Sequence, residues 1–211
     1  MSVNISHLGD LKPSEPVDLS TYTGQRASGG FRPLPTPGRY TVRAPEFTDN
    51  SFTVSKAGAL LTDVAPTIVG GDYDGYQIRF ASVSAKTFQR TEKVNGEEVK
   101  VTASGVADYL KALGRTETVP EEPKDVANLI ATTAGQTYDI ETDWKVWDGA
   151  NQVEYTLSKN PERFDQRDDN GTLLPYILAK DASGEVIRDE NGNVKRLRVK
   201  VVIKKFIAAS A

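Results

Sequence analysis

The residues best suited to chemistry lie near the end of the chain. Between Lys195 and Phe206, Leu197, Val199, Val201 and Ile203 alternate with Arg196, Arg198, Lys200 and Lys204, interrupted by Val202. A period of two is that of a β-strand with one buried face. The opposite face then carries four cations, although the whole chain has a net charge of −3. A stripe of this kind suits the binding of anions, because recognition follows the local field rather than the total charge. The same pattern also fits a sheet face or edge kept soluble by Lys and Arg.

Other chemistries are poorly supplied. The chain has no cysteine, so disulfides, thiolate nucleophiles and Cys-ligated metals are excluded. Its single histidine is His7, which leaves no material for a His-based triad or a multi-His metal site within one chain. Neither a Gly-rich phosphate loop nor a nucleophile elbow is present. Asp72-x-Asp74-Gly75 and the run Asp189-Glu190-Asn191-Gly192-Asn193 share only the outline of a calcium loop, without the full ligand spacing and terminal bidentate Glu. Both read as turns. A non-catalytic protein without cofactor or metal is expected.

A length of 211 residues accommodates one domain with an arm, and is long enough to bury a real core. No apolar run approaches the ~20 residues needed to span a bilayer, so no membrane association is expected. The opening Met1-Ser2-Val3-Asn4 lacks the charged and apolar regions of a signal peptide. A soluble, cytoplasmic protein is the expectation.

The elements that must position the cations follow from periodicity. Residues 1–36 read as an extended arm, interrupted by Pro13, Pro16, Pro33 and Pro35 and loosened by Gly29-Gly30. A single β-rich domain is expected over 37–211. Tyr40 and Val42 open a first strand, a run from Leu60 to Val69 gives a second, and Tyr76, Ile78 and Phe80 a third. Between the last two, residues 70–75 form a Gly- and Asp-rich turn. Asn95-Gly96 predicts a type I′ hairpin between residues 91–94 and 97–101. The period then changes: Val106, Tyr109, Leu110 and Leu113 predict a helix over about 103–113, with Gly114 just past its end. A second helix is predicted over about 123–134, with Pro123 in its first turn. Alternation returns at Tyr138, Ile140, Thr142, Trp144 and Val146, the clearest central strand. One more strand carries Val153, Tyr155 and Leu157. The turn at 189–193 is expected to fold Glu185-Val186-Ile187 back against the basic strand. No internal repeat stands out. Several short antiparallel strands with a helical insertion predict a mainly β fold with a small α component: an antiparallel barrel or curved sheet of the oligonucleotide-binding (OB) type, with two short helices.

The order of these segments resembles that of phage-encoded single-stranded-DNA-binding-like proteins. The likeness rests on Pro35-Thr36-Pro37-Gly38-Arg39-Tyr40-Thr41-Val42, on the turn Gly71-Asp72-Tyr73-Asp74-Gly75 leading into Tyr76–Phe80, on the helix Asp108–Gly114, and on Ala134–Ile140. It covers about half the chain; the arm and everything after about residue 150 have no counterpart, 159–211 being an atypical C-terminal extension of strands, and the acidic C-terminal tail of many such proteins is replaced by Lys204-Lys205-Phe206-Ile207. The resemblance implies an OB-like barrel that binds single-stranded DNA without catalysis, in replication or recombination of phage DNA.

On that reading, cations track phosphates and aromatic rings stack on bases. The candidate contacts are Arg196, Arg198, Lys200 and Lys204 on the last strand, Trp147 on the polar face of its strand opposite Trp144, Tyr73 and Tyr76 around the Gly-rich turn, and Arg79, Lys86 and Arg90. Core packing is the ordinary role of an aromatic residue, and Trp144 is assigned to it. The rival reading is a phage virion or assembly protein whose N-terminal arm docks on a neighbouring subunit, making a homo-oligomer.

Overall fold

The computed structural model describes residues 34–208, apart from Phe80, Asn95 and the side chain of Val94. In chain order its strands and helices are β1 Arg39–Arg43, β2 Phe52–Val54, β3 Leu60–Asp63, β4 Thr67–Ile68, β5 Ser82–Ser84, β6 Phe88–Val94, β7 Glu97–Ala103, α1 Gly105–Ala112, α2 Pro123–Ala131, β8 Thr137–Asp148, β9 Val153–Thr156, β10 Tyr176–Leu178, β11 Arg196–Arg198 and β12 Lys200–Ile207. The fold is mainly β, and its principal sheet is a strongly curled antiparallel half-barrel of OB-like form.

β8 organises that sheet. Along one edge it pairs with β12, setting Lys200 opposite Lys145 and Val201 opposite Trp144. Its other edge is shared, first by β1 (Tyr40 opposite Ile140) and then by β9 (Tyr155 opposite Val146). β4 completes the order β12-β8-β1-β4. The even-numbered residues of β8, Tyr138, Ile140, Thr142, Trp144, Val146 and Asp148, are all buried, as the alternation requires. Val42, Ile68, Val199 and Val201 join them in one core.

Helix α1 closes this core with Val106, Tyr109, Leu110 and Ala112. Its start is specified locally: the Ser104 hydroxyl accepts from the Ala107 amide at 3.0 Å. Gly105 fits because a β-carbon there would lie 3.0 Å from the Ser84 amide nitrogen of β5. Its end is a Schellman turn, with Gly114 at φ 73° and the Arg115 amide donating to the Leu110 carbonyl at 3.0 Å. Tyr109, Tyr138 and Phe206 pack ring on ring, with the Tyr109–Tyr138 centroids 5.4 Å apart and nearly perpendicular. Both helices fall where periodicity places them; α2 ends at Ala131, with Thr132–Ala134 as turn.

Four expectations are corrected. The run Leu60–Val69 divides into β3, in a small sheet with β2 and β5, and β4, in the main sheet; Pro66 lies between them. The expected strand from Tyr76 forms only an isolated bridge, Gln77 to Thr67. The basic run is two strands: β11 pairs with β10, β12 with β8, and the chain passes from one to the other at Val199. Arg196–Arg198 pair with Tyr176–Leu178, while the turn at 189–193 brings Ile187 back onto Lys195, the first residue of the basic run, and no further. Of the arm expected over 1–36, residues up to 33 lie outside the described residues, while Leu34 packs on the core and Pro35 is buried.

The fourth correction is an internal repeat. Residues 167–174 (RDDNGTLL), 180–187 (KDASGEVI) and 188–195 (RDENGNVK) form three hairpin turns of one design. In each, the Asp carboxylate accepts from backbone amides two and four residues on, at 2.8 to 3.0 Å. Gly171, Gly184 and Gly192 occupy φ between 79° and 88°, where only glycine is comfortable. The basic first residue bridges the apolar seventh in every copy: Arg167 with Leu173, Lys180 with Val186, Arg188 with Val194. The last two copies close on each other, since the Ile187 amide donates to the Ala179 carbonyl, Lys195 to Ile187, and Ala179 to Lys195. The repeat escapes periodicity because what recurs is turn chemistry, not an apolar pattern.

Candidate nucleic-acid interface

The odd-numbered side chains of β8 project from the face of the main sheet away from the core, and this face has two distinct ends. At one end the charges cancel. Arg39 binds Asp139, and the Lys204 ammonium donates to Glu141 at 2.7 Å. The hydrogen bond from Lys204 holds the Glu141 carboxyl below its usual range, and that from Arg39 does the same for Asp139. The pairing register shifts between Ile203 and Lys205, so Lys204 is the extra residue of a bulge, turned toward Glu141. Asp143, although on this face, is buried beneath Ser158, whose hydroxyl donates to it.

At the other end cations and aromatics interleave. Trp147 is 53% exposed. Its cross-strand neighbour on β9 is Glu154, which takes up Lys145. On its other side the pairing with β12 ends at Lys200 opposite Lys145, and β11, which precedes β12 across Val199, stays in contact with β8. Arg198 in turn stands opposite Tyr176 of β10, and the Arg196 guanidinium lies 4.7 Å from the centre of the Tyr176 ring. The recorded pairs are thus Glu154 with Trp147 and Lys145 with Lys200 in the main sheet, and Arg198 with Tyr176 in the β10–β11 sheet. Arg196, Arg198 and Lys200 are exposed, as are Lys204 and Lys205; Val199 and Val201 are buried, and Leu197 and Ile203 half-buried. This is the orientation that alternation predicts.

Of the sequence candidates, Lys200 shares this end of the face with Trp147, and Arg196 and Arg198 stand on β11, which contacts β8. Lys204 shares that face but is taken up by Glu141. The remaining five lie elsewhere. Tyr73 is half-buried, with its ring edge-on to Tyr40 at 5.9 Å on the core side of the sheet. Tyr76 is also half-buried against the core, and burial raises its hydroxyl pKa although Arg79 pulls it down. Arg79 and Lys86 are exposed on loops. Arg90 grips both Asp108 carboxylate oxygens at 2.8 Å and Glu92 at 2.7 Å, tying the β6–β7 hairpin to α1. Tyr176 is the candidate residue that sequence reasoning missed; Lys145 shares the face but is taken up by Glu154. The short apolar run Leu173–Leu178 was the available signal, but it acquires meaning only once β11 is known to be the partner of its last three residues.

The turn from β8 to β9 fixes the rim beside Trp147. Asp148 is buried; its carboxylate accepts from the Ala150 amide at 3.1 Å and from the Asn151 side-chain amide at 2.9 Å. That same Asn151 nitrogen donates to the Lys180 carbonyl at 2.9 Å, joining the turn to the second repeat. Burial pushes the Asp148 carboxyl upward, but these hydrogen bonds outweigh it and hold the group below the usual carboxylate range. Removing the carboxylate in Asp148→Ala is expected to cost about 1–3 kcal/mol in urea unfolding, because it leaves buried donors unpaired. With its folded pKa below the unfolded value of ~3.9, the contribution of Asp148 is complete above that value and fades as pH falls through the folded one. The Asp148→Ala penalty should accordingly be constant from neutral pH down to about 5 and shrink in more acid solution; a penalty that grows on acidification would contradict the assignment.

No group of three or more Asp, Glu, His or Cys side chains among the described residues is arranged to hold a metal ion. No helix among them is long and apolar enough to cross a membrane. The chain matches no family model, no curated protein and no solved structure.

Proposed function

We propose that this chain is a non-catalytic protein that binds single-stranded DNA largely without regard to sequence, in the manner of the phage proteins its segment order resembles. The observation that carries the reading is the exposed Trp147 on the same face of the curled sheet as Lys200, with β11, which carries Arg198 and the Arg196–Tyr176 pair, in contact with its strand. Single strands are held by this combination: cations neutralise the backbone, and aromatic rings accept bases whatever their identity. The opposite end of the face, where Arg39 and Lys204 are paired with acids, would add little. Arg196, Arg198 and Lys200 supply the phosphate contacts, and Trp147 and Tyr176 the stacking platforms.

The test is a titration of the full chain with fluorescent oligo-dT at two salt concentrations. Saturable binding that weakens steeply with salt, with double-stranded DNA bound less well, is expected. Absence of salt-sensitive affinity for oligo-dT would end the reading and leave the assembly-protein alternative in its place.

A further inference from the structure

The hairpin of β6 and β7 forms a two-stranded sheet of its own, with seven residues in each strand and no third strand on either side among the described residues. Along β7, Glu97, Glu98, Val99 and Lys100 are exposed, and no Pro interrupts the strand. Such an edge is a ready template for another strand. Phe88 and Val99, 49% and 40% exposed, share one face of the hairpin with Val101, so its apolar strip is also uncovered.

We infer that β7 pairs with β7 of a second copy of this chain, antiparallel about a twofold axis through Val99, to make a continuous four-stranded sheet. Three features select this register. First, two residues separate the paired Val94 and Glu97, and such a connection closes on a hydrogen-bonded pair. Bonds alternate from there, so Val99 and Val101 turn their backbone groups toward β6, while Glu98, Lys100 and Thr102 turn theirs outward. A twofold axis through Val99 sets Glu98 opposite Lys100, two residues that both belong to the outward set. Second, that pairing is charge-complementary twice over, since Lys100 of one copy faces Glu98 of the other on each side of the axis. Neither residue is in an ion pair within the described chain. Third, Val99 meets Val99 in a non-hydrogen-bonded pair, the closer of the two kinds, continuing the apolar strip across the axis. The outer edge of β6 is a poorer candidate. A twofold axis through Thr91 there opposes Arg90 to Glu92, and both are already engaged, Arg90 with Asp108 and with Glu92 itself.

The test uses the full chain without DNA. Sedimentation velocity should show a concentration-dependent dimer. Glu98→Lys alone places Lys opposite Lys, and Lys100→Glu alone places Glu opposite Glu; each should weaken the dimer roughly tenfold or more. The double swap Glu98→Lys/Lys100→Glu restores opposite charges in both pairs and should recover it. Because the chain has no cysteine, Val99→Cys provides a second, independent readout. A non-hydrogen-bonded pair about 4.5 Å apart at Cα lies within disulfide range, so mild oxidation should link Val99→Cys into dimers. Thr102→Cys, whose opposite residue in this register is Gly96, should remain largely unlinked. A strictly monomeric protein, a dimer indifferent to the single charge changes, a double swap that fails to recover, or equal linking of the two Cys variants would each overturn the inference.

Discussion

Replacing Arg196, Arg198 and Lys200 together by Ala is expected to lower the slope of log K against log salt for oligo-dT by roughly 2, at ~0.7 per lost phosphate contact on a single strand. The fold should survive, because all three side chains are exposed on β11 and β12 while Val199 and Val201 keep the strand in the core. The structure also supplies controls. Lys204 is held by Glu141 and Arg90 by Asp108 and Glu92, so neither is poised to release counterions when DNA binds. Lys204→Ala and Arg90→Ala should therefore change the slope far less than Arg198→Ala. A triple variant that folds and keeps the wild-type slope would remove the phosphate-binding role from this strand. A Lys204→Ala variant that lowers the slope as much as Arg198→Ala would move the site to the other end of the face.

The aromatic contribution separates from the ionic one. Trp147→Ala should weaken binding by ~1–3 kcal/mol if a base stacks there, with the salt slope nearly unchanged. Tyr176→Ala tests a further platform, and a mixed outcome is informative. Its ring is already under the Arg196 guanidinium, so its loss should disturb Arg196 as well and touch both affinity and slope.

How much of this was legible in the sequence depends on the range of the interaction. The burial of β8, the orientation of the basic run, both helices and the glycine that ends α1 follow from patterns within a dozen residues, and there the chain speaks plainly. Partner choice does not follow. Nothing in Lys204 announces that Glu141, 63 residues earlier, stands beside it. Nothing in Arg196 points to Tyr176 either, until β10 and β11 are paired. A stripe of four cations consequently divides in the fold into a neutralised part and an interleaved part. Tyr73 and Tyr76 went astray for a related reason: a Gly-rich turn implies exposure, but here the turn folds over Tyr40 and carries its rings inward.

Trp144→Ala is expected to be the most destabilising single change in the body of the protein. Trp144 is 2% exposed at the middle of β8, opposite Val201, and its indole N–H donates to the Pro35 carbonyl at 2.7 Å. Truncating a buried aromatic of this size costs about 3–5 kcal/mol through lost burial and the cavity left behind. The orphaned Pro35 carbonyl adds to that, since a buried acceptor left without its partner costs about 1–3 kcal/mol more unless water reaches it. Against a typical total of about 5–15 kcal/mol, the variant should be largely unfolded in modest urea. Trp144→Phe keeps most of the apolar volume and loses the indole donor, so the gap between the two variants measures the cavity apart from the hydrogen bond. Three residues along the same strand, Trp147→Ala should shift the urea midpoint by no more than an ordinary surface change, within about 0.5 kcal/mol. The chain has only these two tryptophans, so the fluorescence of Trp144 reports unfolding of the Trp147→Ala variant directly. The pair also tests the register of β8, because Trp144 and Trp147 lie on opposite faces and a one-residue slip would exchange their roles. A costly Trp147→Ala beside a mild Trp144→Ala would mean that the core lies on the other side of this strand and that the face assigned to DNA is the buried one.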